Sequence, residues 1–134
     1  MRLLNILIAS LLLHQLVAFA ESASCLKYEP EVVTISGKLV RETFPGRPNY
    51  ESIADGDEPE TGFYLLPETP ICTVAENAIN QTAFNDVKKI QLVLNEKQYD
   101  ELRPKLGTTI RLRGQLFSAF TRHHHANVLL QILN

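Results

Sequence analysis

The chain has 134 residues and a formal net charge of −2, with 13 basic and 15 acidic side chains. This length predicts one domain, and the mildly acidic balance argues against a general affinity for nucleic acid or anionic lipid. The sequence contains no G-x-S-x-G, H-E-x-x-H or phosphate-binding glycine motif. We therefore expect a protein without catalytic activity.

The first twenty residues have the pattern of a secretory signal peptide. Met1-Arg2 is a short basic start, residues 3–16 are mostly apolar, and Ala18-Phe19-Ala20 places small residues where signal peptidase cleaves. The apolar run is too short and too interrupted for a transmembrane helix. We expect a signal peptide at 1–20, removed near Ala20, and a single domain at 21–134 that is secreted or periplasmic and has no transmembrane segment.

Cys25 and Cys72 are the only two cysteines of the chain. In an exported chain an even number of cysteines predicts a disulfide. Closing a loop of this length should stabilise the domain by about 4 kcal/mol in the chain-entropy model. The alternative is two free thiols or a metal site built from cysteine and histidine.

Val32 to Val40 alternates between apolar and polar side chains. Val33, Ile35 and Leu39 fall on one face, which predicts a strand with one buried side. Gly37 lies on the apolar side, where a glycine is typical of a bulge or a sharp bend.

Residues 41–61 contain three prolines and two glycines, which predicts irregular structure over most of this stretch. Its apolar side chains, Phe44, Tyr50 and Ile53, favour an ordered loop over a disordered linker. Ordered loops of this length are often functional. The end of the loop is acidic, with Glu51, Asp55, Asp57, Glu58 and Glu60.

The second half of the chain predicts further strands and one helix. The strands are expected at 62–66 and 70–74, broken around Pro67 and Pro70, and at 87–94, 108–121 and 128–133. Asn95 followed by Gln98 is typical of a helix capping box, and Pro104 with Gly107 should end that helix.

The order of these elements is typical of a mainly β fold, a five-stranded OB-like barrel with one short helix between strands 3 and 4. In that fold the ligand face is flanked by the loop between strands 1 and 2 and the loop between strands 4 and 5. Here these are residues 44–60 and 122–125. By this analogy we expect the binding site at one rim, with the candidate residues Tyr50, Asp55, Asp57, Glu58, Arg122, His123, His124 and His125.

Two motifs of the rim carry a family resemblance. Phe44-Pro45-Gly46 with Pro48-Asn49-Tyr50-Glu51-Ser52, together with the triplet His123-His124-His125, resembles DUF4431, a family of small exported bacterial domains of unknown function. Shorter matches extend over the expected mature chain, and Arg122 stands where the family pattern has a glycine. The resemblance implies export, the disulfide and the domain boundaries, and it implies no activity.

The histidine triplet suggests two kinds of chemistry. In an extended tip His123 and His125 point the same way and could share Zn²⁺ or Cu²⁺, with Asp55, Asp57 or Glu58 as a further ligand. The other interpretation is a polar tip whose imidazoles hydrogen-bond to the backbone or to the acidic loop. Nucleic acid is not expected as a partner, because the chain is acidic and lacks an aromatic platform.

The sequence thus predicts an exported, periplasmic, non-catalytic binding module that engages a small ligand or a periplasmic protein through residues 44–60 and 122–125. Two alternatives stay open. One is a protein that binds Zn²⁺ or Cu²⁺ through His123 and His125. The other is an inhibitor or immunity-type protein directed against a toxin or a lytic enzyme.

Overall fold

The structure, a computed structural model, describes residues 24–76 and 81–134. The predicted signal peptide lies outside the described residues. The fold is mainly β, as the sequence predicted, and its elements are β1 (Leu26–Lys27), β2 (Val33–Pro45), β3 (Pro59–Pro67), β4 (Thr73–Val74), β5 (Ile90–Val93), α1 (Glu96–Leu102), a 3₁₀ turn (Arg103–Lys105), β6 (Thr109–Ser118) and β7 (Val128–Ile132).

Five of the strands close into a barrel in the order β2-β3-β5-β7-β6, with β6 pairing back onto β2. The β5–β7 pair is parallel and the other four pairs are antiparallel. The short strands β1 and β4 form a separate parallel pair. The prediction of five main strands and one short helix is therefore confirmed.

The barrel interior is filled by alternate side chains of each strand, as the period of two requires. The fully buried members are aliphatic and include Leu39, Leu65, Ile90, Leu116 and Leu130.

Gly37 marks a close approach between strands and no bulge, because its pairing with β3 and β6 continues without interruption. A Cβ at Gly37 would stand 2.4 Å from the carbonyl oxygen of Leu66. Only glycine fits at this point of the barrel wall.

The predicted boundaries need correction where strands meet loops. β2 continues to Pro45 and β3 begins at Pro59, because residues 41–45 pair with 59–63 and the two prolines face each other at the end of the ladder. β6 ends at Ser118 and not at Thr121, since the chain turns after Ala119. The strand expected at 87–94 is paired only over Ile90–Val93.

The helix begins as predicted. The Asn95 side chain accepts from the Gln98 backbone N–H at 2.9 Å, and the Gln98 side chain accepts from the Asn95 N–H at 3.0 Å. Leu102 is buried and Tyr99 packs edge-on against Phe63, so α1 covers one side of the barrel. No helix in 24–76 or 81–134 is long and apolar enough to cross a membrane.

The predicted disulfide between Cys25 and Cys72 is present, across a sequence separation of 47 residues. It joins the start of the domain to the segment that precedes β4. The neighbouring ring of Tyr28 is buried, and its hydroxyl bonds to Thr73 Oγ1 at 3.0 Å and to the Thr82 carbonyl at 2.6 Å. Disulfide and tyrosine together attach β1 to β4 and to Thr82.

Candidate functional site

A two-stranded ribbon extends beyond the closed barrel. β2 pairs with β6 only as far as Lys38, and β3 pairs with β5 only at Tyr64 and Leu65. Within the described part of the chain, residues 41–45 and 59–63 therefore pair only with each other, and we call them the ribbon. The loop 46–58 joins the two strands at its outer end.

Asp57 folds this loop from within. Its Oδ1 accepts the backbone N–H of Asn49 at 2.8 Å, and its Oδ2 accepts those of Glu51 and Ser52 at 2.7 and 2.9 Å. These backbone hydrogen bonds outweigh the desolvation of the carboxylate and lower its pKa. Asp57 therefore organises the loop and does not face the histidines.

Tyr50 has a backbone conformation that is rare for its residue type. Its φ is +61°, in the left-handed region. The hydrogen bond from its N–H to the Gly46 carbonyl, 2.8 Å long, helps hold this conformation. As a result the Tyr50 ring reaches the tip, the connection 119–127 between β6 and β7, where it meets His123 edge-on at 5.3 Å.

The tip is a folded turn held by His124. The His124 Nδ1 accepts the backbone N–H of Phe120 at 3.0 Å and of Thr121 at 3.3 Å, so it carries no proton. The ring packs against Phe117 and Phe120. Burial lowers the His124 pKa, and the charges of the neighbouring histidines act in the same direction.

Gln91 of β5 positions the other two histidines. Its Nε2 donates to the His123 carbonyl at 3.0 Å, and its Oε1 accepts the His125 N–H at 2.6 Å. The amide thereby ties the tip to the barrel and turns both imidazoles toward the ribbon.

Glu60, at the start of β3, joins the ribbon to the tip. Its Oε1 bonds to Nδ1 of His123, and its Oε2 bonds to Nε2 of His125 at 2.6 Å. Partial burial opposes ionisation of Glu60, but the hydrogen bonds of His125 and His123 outweigh it and lower the carboxyl pKa. One carboxylate thus connects both loops.

An ionised Glu60 also fixes the tautomers of the two imidazoles, because a carboxylate can only accept. Nδ1 of His123 and Nε2 of His125 each carry a proton. Nε2 of His123 is then free to accept from the Tyr50 hydroxyl at 3.1 Å. The result is a continuous chain from carboxylate through imidazole to hydroxyl, and it can hold the Tyr50 ring in place.

Aromatic rings form the wall behind Glu60. Phe44 stacks face to face on His125, with centroids 4.7 Å apart and planes 7° from parallel, and it contacts Tyr64 at 5.7 Å. The Lys89 ammonium lies 5.1 Å from the Phe44 centroid and pairs with Glu42 at 2.8 Å. This cation is therefore already neutralised within the protein.

Two clefts border His125. One, of about 460 Å³, opens between the loop and the tip and is lined by Phe44, Pro45, Asn49, Tyr50, Glu51, Arg122 and His125. The other, of about 270 Å³, lies between the tip and the outer face of the barrel, and its lining includes Glu60, Gly62, Tyr64, Gln91, Tyr99 and His125.

The structure brings together four of the candidate residues predicted from the sequence. His123 and His125 point to one side as expected, Tyr50 contacts His123, and the Arg122 guanidinium lies 5.9 Å from the Tyr50 ring centroid. His124 points away from this group, as the alternation of an extended tip predicted, although the tip is folded.

The acidic partner of the histidines differs from the expected ones. Asp55 and Glu58 are exposed, and Asp57 is used inside the loop. Glu60 takes their place, and Phe44 lies beside it because the two residues face each other across the β2–β3 ladder. The β2–β3 register identifies Glu60 and Phe44 as members of the site. The sequence analysis does not predict this register, because Pro45 and Pro59 favour irregular structure at these positions.

A metal centre has no preformed group of ligands among the described residues. No three His, Cys, Asp or Glu side chains in 24–76 and 81–134 are arranged to hold a metal ion. Nδ1 of His123 and Nε2 of His125 are both engaged by Glu60.

Comparison with known proteins bears on the tip and its supporting strands. Residues 89–133 match the family model of DUF4431, a domain of unknown function. The DUF4431 match confirms the resemblance predicted from the sequence over β5, α1, β6, the tip and β7. Gln91 and all three tip histidines lie inside it, whereas Glu60 and Phe44 lie outside. No curated protein and no solved structure matches the chain significantly.

Proposed function

We propose that this protein is an exported, periplasmic, non-catalytic binding module that holds a ligand or a protein at the rim formed by residues 44–60 and 122–125. The observation that carries the proposal is the double hydrogen bond of Glu60 to His123 and His125. Glu60 lies 63 and 65 residues before these two histidines in sequence, so its hydrogen bonds join distant parts of the chain into one preorganised surface.

The strand order supports an OB-like assignment. Counting only the barrel strands, the order around the ring is 1-2-3-5-4, with strands 3 and 5 parallel and α1 following strand 3 in the chain. In OB-type barrels the loops equivalent to 46–58 and 119–127 flank the ligand face. This analogy supports the place of the site and says nothing of the ligand.

The disulfide supports export, because disulfides persist in oxidising compartments such as the periplasm. A non-catalytic role is supported by the hydrogen bonds that the polar side chains of the rim make to one another. Glu60 and His123 are satisfied by each other and by Tyr50. Such satisfied networks fix orientation, which suits recognition.

Affinity capture from a periplasmic extract tests the proposal. Wild type is compared with Glu60→Gln, which keeps the size of the side chain but replaces one of the two acceptor oxygens with an NH₂ donor, so that it cannot accept from both imidazoles. Glu68→Gln is the matched control, because Glu68 is exposed and lines a pocket beside Cys72. We expect a partner retained by wild type and by the control and lost with Glu60→Gln. Equal capture by all three proteins would contradict a site at this rim.

The metal alternative is tested on the same variants. Binding of a metal by Nδ1 of His123 and Nε2 of His125 would have to displace the hydrogen bonds that both imidazoles make to Glu60. Calorimetry with Zn²⁺ or Cu²⁺ should show tight binding that His125→Ala abolishes if this alternative holds. The inhibitor alternative predicts that the captured partner is a lytic enzyme or toxin whose activity falls on binding.

A further inference from the structure

The larger of the two clefts beside His125 has a cation and an anion on its walls. Arg122 of the tip and Glu51 of the loop both line this cleft of about 460 Å³. Among the described residues neither side chain takes part in an ion pair, and the two do not pair with each other. In the smaller cleft, by contrast, the only carboxylate is that of Glu60, which is already bonded to the tip.

His125, which also lines the larger cleft, has a free hydrogen-bond acceptor. Its Nε2 donates to Glu60, so Nδ1 of the neutral imidazole carries a lone pair and no proton. Within 24–76 and 81–134, the Tyr64 hydroxyl is the one enclosed side-chain polar atom without a partner. Nδ1 of His125 also has no partner there but is not enclosed, so solvent reaches it. A donor atom of a ligand can therefore reach it too.

The walls of this cleft are held in place by contacts within the protein. The His125 ring is stacked on Phe44, and only 11% of its side chain is exposed. The Tyr50 hydroxyl donates to His123, and the Arg122 guanidinium lies 5.9 Å from the Tyr50 ring centroid. A cleft whose walls are already ordered loses little conformational entropy when a ligand binds.

The three polar groups of the cleft limit the class of ligand. The guanidinium of Arg122 can only donate, and it matches a carboxylate through two parallel hydrogen bonds. The carboxylate of Glu51 matches an ammonium group, and Nδ1 of His125 accepts from a neutral N–H or O–H. A simple anion is attracted by Arg122 and repelled by Glu51, and the reverse holds for a simple cation. A ligand with a carboxylate, an ammonium group and a neutral donor meets all three.

We propose that the cleft between the loop and the tip binds a short peptide with free termini. The peptide carboxylate pairs with Arg122, the ammonium group pairs with Glu51, and a backbone N–H donates to Nδ1 of His125. The volume of about 460 Å³ lies within the usual range of about 300–1,000 Å³ for small ligands. This inference rests on the proposed binding function, since it names the ligand class of the same rim.

An NMR titration of the ¹⁵N-labelled protein with alanyl-alanine tests the inference. Two modified peptides are the matched controls, because the C-terminal amide lacks the carboxylate and the N-acetyl form lacks the ammonium group. We expect millimolar free peptide to shift the amides of Tyr50, Glu51 and Arg122. Each modified peptide should bind about fivefold more weakly, as expected for one lost exposed ion pair. If the free peptide shifts none of these amides, or if the three peptides bind equally, the inference is wrong.

Two substitutions assign each peptide terminus to its partner. Glu51 and Arg122 are exposed, so both variants should fold. In Arg122→Gln the free peptide and its C-terminal amide should bind equally, because the cation that distinguishes them is gone. In Glu51→Gln the free and acetylated peptides should bind equally for the corresponding reason. Arg47→Gln is the control and should keep both preferences, since Arg47 is exposed in the same loop but does not line the cleft. A preference that persists in its own variant would overturn the proposed pairing.

The imidazole of His125 gives an independent readout. In ¹⁵N spectra of the histidine side chains, the peptide should change the Nδ1 resonance of His125 while its Nε2 stays protonated. His124 is the internal control, because its Nδ1 already accepts from two backbone amides and should not respond. An unchanged Nδ1 resonance of His125 at saturating peptide would refute its role as the acceptor.

Failure here is distinguishable from failure of the proposed function. If Glu60→Gln abolishes capture of a periplasmic protein while no peptide binds, the rim is a binding site and only the ligand class is wrong. If the free peptide binds and Arg122→Gln removes its preference over the amide, the inference stands whatever the capture experiment retains.

Discussion

Tyr64→Phe should make the protein more stable, which is unusual for a change at a fully buried position. The hydroxyl has no partner among residues 24–76 and 81–134, so in the folded state it has lost its hydration without compensation. An unsatisfied buried polar group costs about 1–3 kcal/mol. Phenylalanine keeps the ring and its contact with Phe44. We expect a gain of about 1 kcal/mol, or about 4 °C in Tm for a domain of this size.

The assay is urea unfolding of wild type and variant without any added ligand. The slope of the unfolding free energy against urea concentration must be equal for the two proteins, so that a change of midpoint reports a change of stability. Tyr28→Phe is the matched control, because its buried hydroxyl bonds to Thr73 and to the Thr82 carbonyl. That variant should lose about 1–2 kcal/mol, since it leaves buried groups without their partner. If Tyr64→Phe is destabilised to the same extent as Tyr28→Phe, the Tyr64 hydroxyl has a partner and the reasoning fails.

Four further outcomes follow from the site and its support. The Glu60 pKa is lowered from its ordinary 4.5, so the ionised carboxylate contributes its full stability above that pH, and this contribution is lost as the pH falls toward the lowered value. In acid unfolding followed by circular dichroism, the stability of Glu60→Gln should therefore fall less with decreasing pH than the stability of wild type. Burial lowers the His124 pKa below 6.5, so an NMR titration should find a midpoint below that pH, and the stabilising effect of the neutral ring should decline only as the pH falls below 6.5; a pKa at or above 6.5 would contradict the packing. Asp57→Asn should increase hydrogen exchange at the three loop amides that the carboxylate holds, and unchanged exchange would refute its role. Replacing Cys25 and Cys72 together with alanine should lower the free energy of unfolding by about 4 kcal/mol relative to the oxidised wild type, as measured by urea unfolding. The reduced wild type is the control and should show the same loss.

Local signals in the sequence predicted most of the fold. The capping box at Asn95 and Gln98 and the alternation at residues 33–39 depend on neighbours in the chain, and both appear in the structure. The cysteine pair was predictable from the even number of cysteines and the expectation of export.

The parts that the sequence did not predict depend on register. Prolines at 45 and 59 suggested a long irregular loop, but both sit at the end of a ladder, where proline costs little. Glu60 therefore starts a strand beside Phe44. The end of β6 was misplaced for a related reason, because the His124 side chain satisfies a turn that no local propensity indicates.

The ribbon has a mechanical consequence for the rim. Among residues 24–76 and 81–134, no further strand pairs with its five residue pairs on either side, and isolated two-stranded ribbons are only marginally stable in water. The hydrogen bonds of Glu60 to the tip therefore hold the ribbon in place, and the ribbon would bend near Tyr64, where β3 begins to pair with β5. When a ligand or a change of pH breaks the hydrogen bonds of Glu60 to His123 and His125, the ribbon can move or lose its pairing while the barrel and the disulfide remain intact. Opening of the rim should therefore require much less free energy than global unfolding, and the rim amides should exchange first.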